Sequence, residues 1–125
     1  ASDVYKRQVD AKGRKLEVTK LCMPVKPLYM DQASCDSIDT EEYAEPRVAD
    51  EPLIASYMNF LIVNGGVIVP QYGDENDELA VQQIQAAFDE AWGEGVYKAV
   101  GVKTDQVVFG GGNIHCITQQ EPAGK

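Results

Sequence analysis

Histidine is nearly absent from this 125-residue sequence, cysteine is sparse and basic residues are outnumbered. One histidine and three cysteines without paired spacing offer no ligand set for a zinc site, so no metal is expected. Three widely separated cysteines make no disulfide framework and fit a reducing, cytoplasmic setting better. Eleven Lys and Arg against twenty Asp and Glu leave a net charge of −9. That balance argues against a nucleic-acid binder or a polybasic membrane docker, which need a cationic face. Long hydrophobic runs are missing too: the longest, residues 60–63, is far too short to cross a bilayer. The opening residues 1–8 are polar, so no signal peptide is expected there. What remains, 44% hydrophobic and 25% charged, is the composition of one globular domain.

Charge is unevenly spread. Residues 1–30 carry seven cations and three acids, whereas residues 31–52 carry eight carboxylates and the single cation Arg47. The acidic stretch reads as a solvated loop, with an acidic lid for a cationic ligand as the alternative. Residues 15–23 (KLEVTKLCM) read as a strand, although the alternation slips at Lys20–Leu21. Residues 24–52 hold four prolines and no sustained period, and read as a long connection. Asn64-Gly65 between β-branched runs predicts a hairpin with strands at 56–63 and 66–70. Residues 74–92 read as a helix, because Ala80, Ile84, Ala87, Phe88 and Ala91 fall on one stripe. Asp74 is its expected cap and Gly93 its stop, with Phe88 and Trp92 in the core. Two short strands are expected at 96–102 and 106–109. The expectation is an α/β chain, a mixed sheet plus one long helix. So small a core beside so long a loop reads as a piece of something larger.

The chemically loaded segment is VVFGGGNIHCITQQ, residues 107–120. Three consecutive glycines allow positive φ and close approach of a ligand to the main chain. A dinucleotide fingerprint fails, because His115 stands where glycine or alanine is needed, and no Walker lysine follows. His115–Cys116 invites a catalytic dyad, but neighbours on an extended strand face opposite ways. Cys116 therefore has two readings, a nucleophile whose base lies elsewhere or a small buried core residue. Gly111, Gly112 and Asn113 are either the wall behind a substrate or a tight turn with an Asn in it. Asn59 and Tyr57 alternate with Met58 and Phe60 and are expected to bond within the sheet; Cys22 and Cys35 are expected to be inert.

The run GGGNIHCITQQ with Pro122-Ala123, the SYMNF run at 56–60, NGGVIVP at 64–70, Tyr72-Gly73-Asp74 and DAKGRKLEV at 10–18 together resemble the agmatine deiminases. These sit in the guanidine-modifying superfamily with the bacterial-type peptidylarginine deiminases. The resemblance covers residues 10–123 in order, and GGGNIHC is specific. It implies the C-terminal modules of a five-bladed, pentein-like α/β propeller, truncated at its N-terminus, in residues 10–125. Residues 1–9 are expected to have no family counterpart, as translated adapter read-through in a sequencing fragment would give. The resemblance makes Cys116 the nucleophile that attacks the guanidinium carbon of agmatine, releasing ammonia and then N-carbamoylputrescine from an amidino-cysteine intermediate. It implies no cofactor, a small cationic substrate and compatibility with a homo-oligomer of the full-length protein. It also places the catalytic histidine and the guanidinium-clamping carboxylates upstream, so none is assigned here. Cys22, where a proline-type residue is expected, and the lengthened turn at 92–95 depart from the pattern without touching the nucleophile motif. The alternatives are a non-catalytic α/β module and a related arginine or peptidylarginine deiminase.

Overall fold

A computed structural model describes residue 4 and residues 7–38 and 46–123. Part of the acidic stretch, residues 39–45, therefore lies outside the described residues. In chain order the elements are β1 (Leu28–Tyr29), α1 (Gln32–Asp36), β2 (Pro52–Leu53), β3 (Leu61–Val63), β4 (Gly66–Gln71), α2 (Asp77–Trp92) and β5 (Lys98–Lys103). A 3-10 turn, Val107–Gly110, follows. β1 and β2 form a short antiparallel ladder, Leu28 opposite Leu53. The main sheet runs β3-β4-β5, with β3 antiparallel to β4 and β5 parallel to it. α2 makes the crossover that the parallel pair requires. Among the described residues the architecture is thus mixed α/β, with helices α1 and α2. No helix among the described residues is long and apolar enough to cross a membrane.

The hairpin forms where Asn64-Gly65 predicts it, with Val63 opposite Gly66 and Gly65 at φ +76°. Its first strand is shorter than expected, beginning at Leu61. Residues 57–58 are in a turn instead, because the Ser56 backbone is committed to a side chain. The Ser56 N–H donates to the Tyr72 hydroxyl (3.1 Å), which donates back to the Ser56 carbonyl (3.0 Å).

α2 buries the predicted stripe through Ala80, Ile84 and Phe88, and ends at Gly93. Val67 and Val69 of β4 meet it, and with Tyr57, Tyr72 and Val108 they form one apolar core. Gln85 joins α2 to β5, donating to the Tyr97 carbonyl (2.9 Å) and accepting from the Ala99 N–H (2.8 Å). The opposite face of the sheet leaves Val100 and Val102 exposed. Trp92, expected in the core, is 57% exposed at the helix end, where it stacks on Phe88 at 5.1 Å.

The helix start differs from the expected cap. Asn76 is the N-cap and makes no side-chain capping bond. The Asp74 carboxylate instead accepts N–H bonds from Val25 and Lys26 (both 3.0 Å) and Asn76 (2.9 Å). Burial works to raise its pKa, but those main-chain donors outweigh it and hold the carboxyl below the ordinary range. Asp77 turns its carboxylate back over the preceding loop, accepting from the N–H groups of Tyr72, Gly73 and Asp74 and from the Tyr57 hydroxyl (2.7 Å).

Two expected strands are absent. Residues 15–23 form no strand beyond a single bridge from Lys15 to Val9. Their backbone bonds to helix side chains instead: Cys22 N–H donates to Gln83 Oε1 (2.8 Å), and Asn76 Nδ2 donates to the Met23 carbonyl (2.8 Å). The β4–β5 ladder closes where Thr104 N–H donates to the Gln71 carbonyl, and residues 107–110 beyond it turn as a 3-10 helix in place of the strand expected at 106–109. The turn drives Val108 into the core at 1% exposure. The long connection at 24–52 also holds more structure than expected, namely β1, α1 and the start of β2.

Candidate active site

The glycine run begins where the 3-10 turn ends. Gly111 closes that turn in the left-handed region at φ +85°, and an added Cβ would lie 2.8 Å from Nη2 of Arg47. Gly112 is needed for a different reason. A Cβ there would sit 2.7 Å from Cys116 Cβ and 3.0 Å from its sulfur, so the cysteine folds back over the glycine. Gly110 has open space around it.

Asn113 is 2% exposed, and its side chain points into the core. Its Nδ2 donates to the Tyr72 hydroxyl (3.0 Å), and its Oδ1 accepts from the Ile114 N–H (2.8 Å). This is the tight-turn arrangement, locked by a buried amide. Residues 114–117 continue as turns, with Ile117 N–H bonded to the Asn113 carbonyl and Thr118 N–H to that of His115.

The extended strand expected around His115–Cys116 is therefore not there, and the opposite-face argument loses its premise. Even so, no hydrogen bond joins His115 to Cys116 among the described residues. The reading of Cys116 as a small buried core residue is corrected: it is exposed. The buried cysteine is Cys35, while Cys22 is half-buried. Burial, ahead of the Asp74 charge, pushes the Cys22 thiol up, which suits an inert role.

Asn59 does not bond within the sheet. It reaches across 57 residues of sequence to the Cys116 turn, donating through Nδ2 to Cys116 Sγ at 3.0 Å. Its Oδ1 accepts from the N–H groups of His115 (2.9 Å) and Cys116 (3.3 Å). The Asn59 amide is the main cause that holds the Cys116 thiol below its ordinary pKa, with the Asn113 backbone second. Tyr57 likewise faces inward, fully buried, with its hydroxyl on Asp77. Burial first, then Asp77, pushes that phenol far up, so it stays a neutral donor. A cavity of about 550 Å³ opens beside the turn, walled by residues 58–62, His115 and Gln120.

The packing at Gly112 makes a direct expectation. Gly112→Ala should displace the Cys116 turn from the Asn59 amide and raise the pH midpoint for alkylation of that thiol. Gly110→Ala, whose methyl meets nothing within 4 Å, should leave the midpoint unchanged. Alkylation-rate profiles with iodoacetamide, a neutral reagent, compare the two variants.

The glycine-built turn thus presents an exposed cysteine whose thiol is held below its ordinary pKa. The sequence model of the Porphyromonas-type peptidyl-arginine deiminase family matches residues 1–122, which takes in the opening segment for which no counterpart was expected. A protein of Streptococcus mutans is 54% identical over 123 residues, covering 98% of this chain and 31% of that protein. The agmatine deiminase of Pseudomonas aeruginosa is 46% identical over 120 residues, covering 96% of this chain and 31% of its own. A solved structure, described as agmatine deiminase of Enterococcus faecalis catalyzing its reaction, superposes with a TM-score of 0.82 at 53% identity. It covers 97% of this chain and 31% of that one. The chain thus spans about a third of the length of these relatives. With all but its last three residues inside the family model, the chain belongs to the Porphyromonas-type peptidyl-arginine deiminase family.

Proposed function

We propose that this chain is the C-terminal, nucleophile-bearing part of a deiminase that hydrolyses agmatine to N-carbamoylputrescine and ammonia. The observation that carries the reading is the exposed Cys116 thiol, held below its ordinary pKa by the Asn59 amide within the GGGNIHC turn. The names of the relatives support agmatine as the substrate. In this reading the complete domain is a five-bladed α/β propeller of which these residues supply the final modules. The exposed Val100 and Val102 face of the sheet is then covered by the remaining two thirds of the polypeptide. Three free thiols suit a reducing cytoplasm.

The chemistry follows from the residues. Cys116 Sγ, as thiolate, attacks the guanidinium carbon and forms a C–S bond. One nitrogen leaves as ammonia after taking up a proton, and the carbon stays on sulfur as an amidino-thioether. Water then adds to that carbon, the C–S bond breaks, and the thiolate returns with the ureido product released. Gly111 and Gly112 line the approach with main chain alone, and Asn113 fixes the turn from beneath. The proton carrier and the carboxylates that accept paired bonds from a planar guanidinium come from the remaining polypeptide.

The complete polypeptide is expected to release ureido product and ammonia from agmatine, and the 125-residue chain alone is expected to release neither. A complete polypeptide inert toward agmatine but active on peptidylarginine or arginine would overturn the substrate. Steady turnover by the 125-residue chain would overturn the claim that essential groups lie elsewhere.

A further inference from the structure

We infer that Asn59 is a positioning residue that holds the Cys116 sulfur ready for attack by donating an amide N–H to it. The inference deepens the proposed function and takes its catalytic meaning from that reading. The geometry carries it without regard to substrate.

An asparagine amide has one acceptor end and one donor end, and its environment decides which way it points. Here two main-chain donors, the N–H groups of His115 (2.9 Å) and Cys116 (3.3 Å), converge on one end. Only the carbonyl oxygen can accept them. The NH₂ end is thereby turned toward Cys116 Sγ, 3.0 Å away, and can only donate. A donor fixed on sulfur strengthens as the thiol ionises, because a hydrogen bond to a charged acceptor is about twice as strong as a neutral one. The backbone of Asn59 is tied to the same turn, its carbonyl accepting from the His115 N–H at 3.4 Å and its own N–H donating to the Ser56 carbonyl at 3.4 Å. A single residue thus both fixes where the sulfur sits and favours its ionised form over the thiol relative to a free cysteine. The direction of the Cys116 shift, with the Asn59 side chain as its leading cause, agrees.

Asn59→Asp separates electronic from structural roles. Aspartate is isosteric, and one carboxylate oxygen can keep both main-chain N–H bonds. The other places a negative charge and no proton against the sulfur. In the complete polypeptide, Asn59→Asp is expected to move the Cys116 alkylation midpoint up by one pH unit or more. Below that midpoint, alkylation then slows about tenfold per unit. Slow labelling of Cys35 and Cys22 reports that the fold is intact. Agmatine turnover is expected to lose kcat more than KM, with the acidic limb of its pH profile moving by the same amount. A second measurement needs no variant at Asn59: the Asn59 side-chain amide proton resonance should shift through the Cys116 titration, and Cys116→Ser should abolish that shift. An unchanged midpoint in Asn59→Asp, or an amide resonance flat through the titration, overturns the inference. If both readouts behave as expected and the unsubstituted polypeptide still leaves agmatine intact, the functional reading fails while the role of Asn59 stands.

Discussion

Cys116→Ser is expected to abolish agmatine turnover by the complete polypeptide, a loss at least on the order of 10⁴-fold. The proposed function makes Cys116 the nucleophile. A thiol held below its ordinary pKa by the Asn59 amide yields a thiolate more readily than a serine hydroxyl in the same turn yields an alkoxide. The substitution changes one atom, exposes no new surface and keeps the Gly112 contact, so the fold should hold. Agmatine should therefore still bind, as calorimetry can show, while ammonia release ceases. Retention of more than a few per cent of the parent rate would remove Cys116 from the mechanism, and with it the reading of the glycine turn as a nucleophile's seat.

Asp77→Ala has the largest expected cost to stability, about 3–4 kcal/mol. Its carboxylate accepts three consecutive main-chain N–H groups and the hydroxyl of the fully buried Tyr57. Removing it strands those donors beside the start of α2, where Tyr57 has no water to turn to. Asp77→Asn keeps one acceptor and is expected to cost about half as much. Urea unfolding should show the midpoint falling with an unchanged slope. A loss below about 0.5 kcal/mol for Asp77→Ala would mean that the loop finds other acceptors.

What the sequence disclosed was local. The Asn64-Gly65 hairpin and the Ala80, Ile84, Phe88 stripe depend on neighbours within a few residues, so composition and period reveal them. Residues 15–23 have strand composition, but a strand also needs a partner ladder, and that stretch bonds to Gln83 and Asn76 of the helix region instead. Residues 106–109 misled in the same way: their composition suits a strand, but past the close of the β4–β5 ladder the chain turns as a 3-10 helix. α2 ends where expected, at Trp92 before Gly93, but hydrophobicity placed Trp92 inward, whereas the buried stripe runs out before it and leaves the ring stacked on Phe88.

At the site, GGGNIHC was legible as a motif, while its working parts were not. The role of Gly112 depends on where Cys116 folds back. The role of Asn59 depends on a contact between residues 57 apart. The SYMNF run carried the only signal for Asn59, and its alternation with Met58 suggested a sheet residue. The tie from Asn113 to Tyr72 has no trace in spacing at all.

Tyr72 gives the site a common suspension point. Its phenol oxygen accepts from Ser56 N–H and from Asn113 Nδ2 and donates to the Ser56 carbonyl. Ser56 leads into the segment bearing Asn59, and Asn113 leads into the one bearing Cys116. Both arms that meet at the sulfur thus hang from one oxygen embedded in the hydrophobic core. Warming or denaturant that loosens this oxygen releases both arms together, so the depression of the Cys116 thiol pKa should be lost in step with the core instead of fading ahead of it.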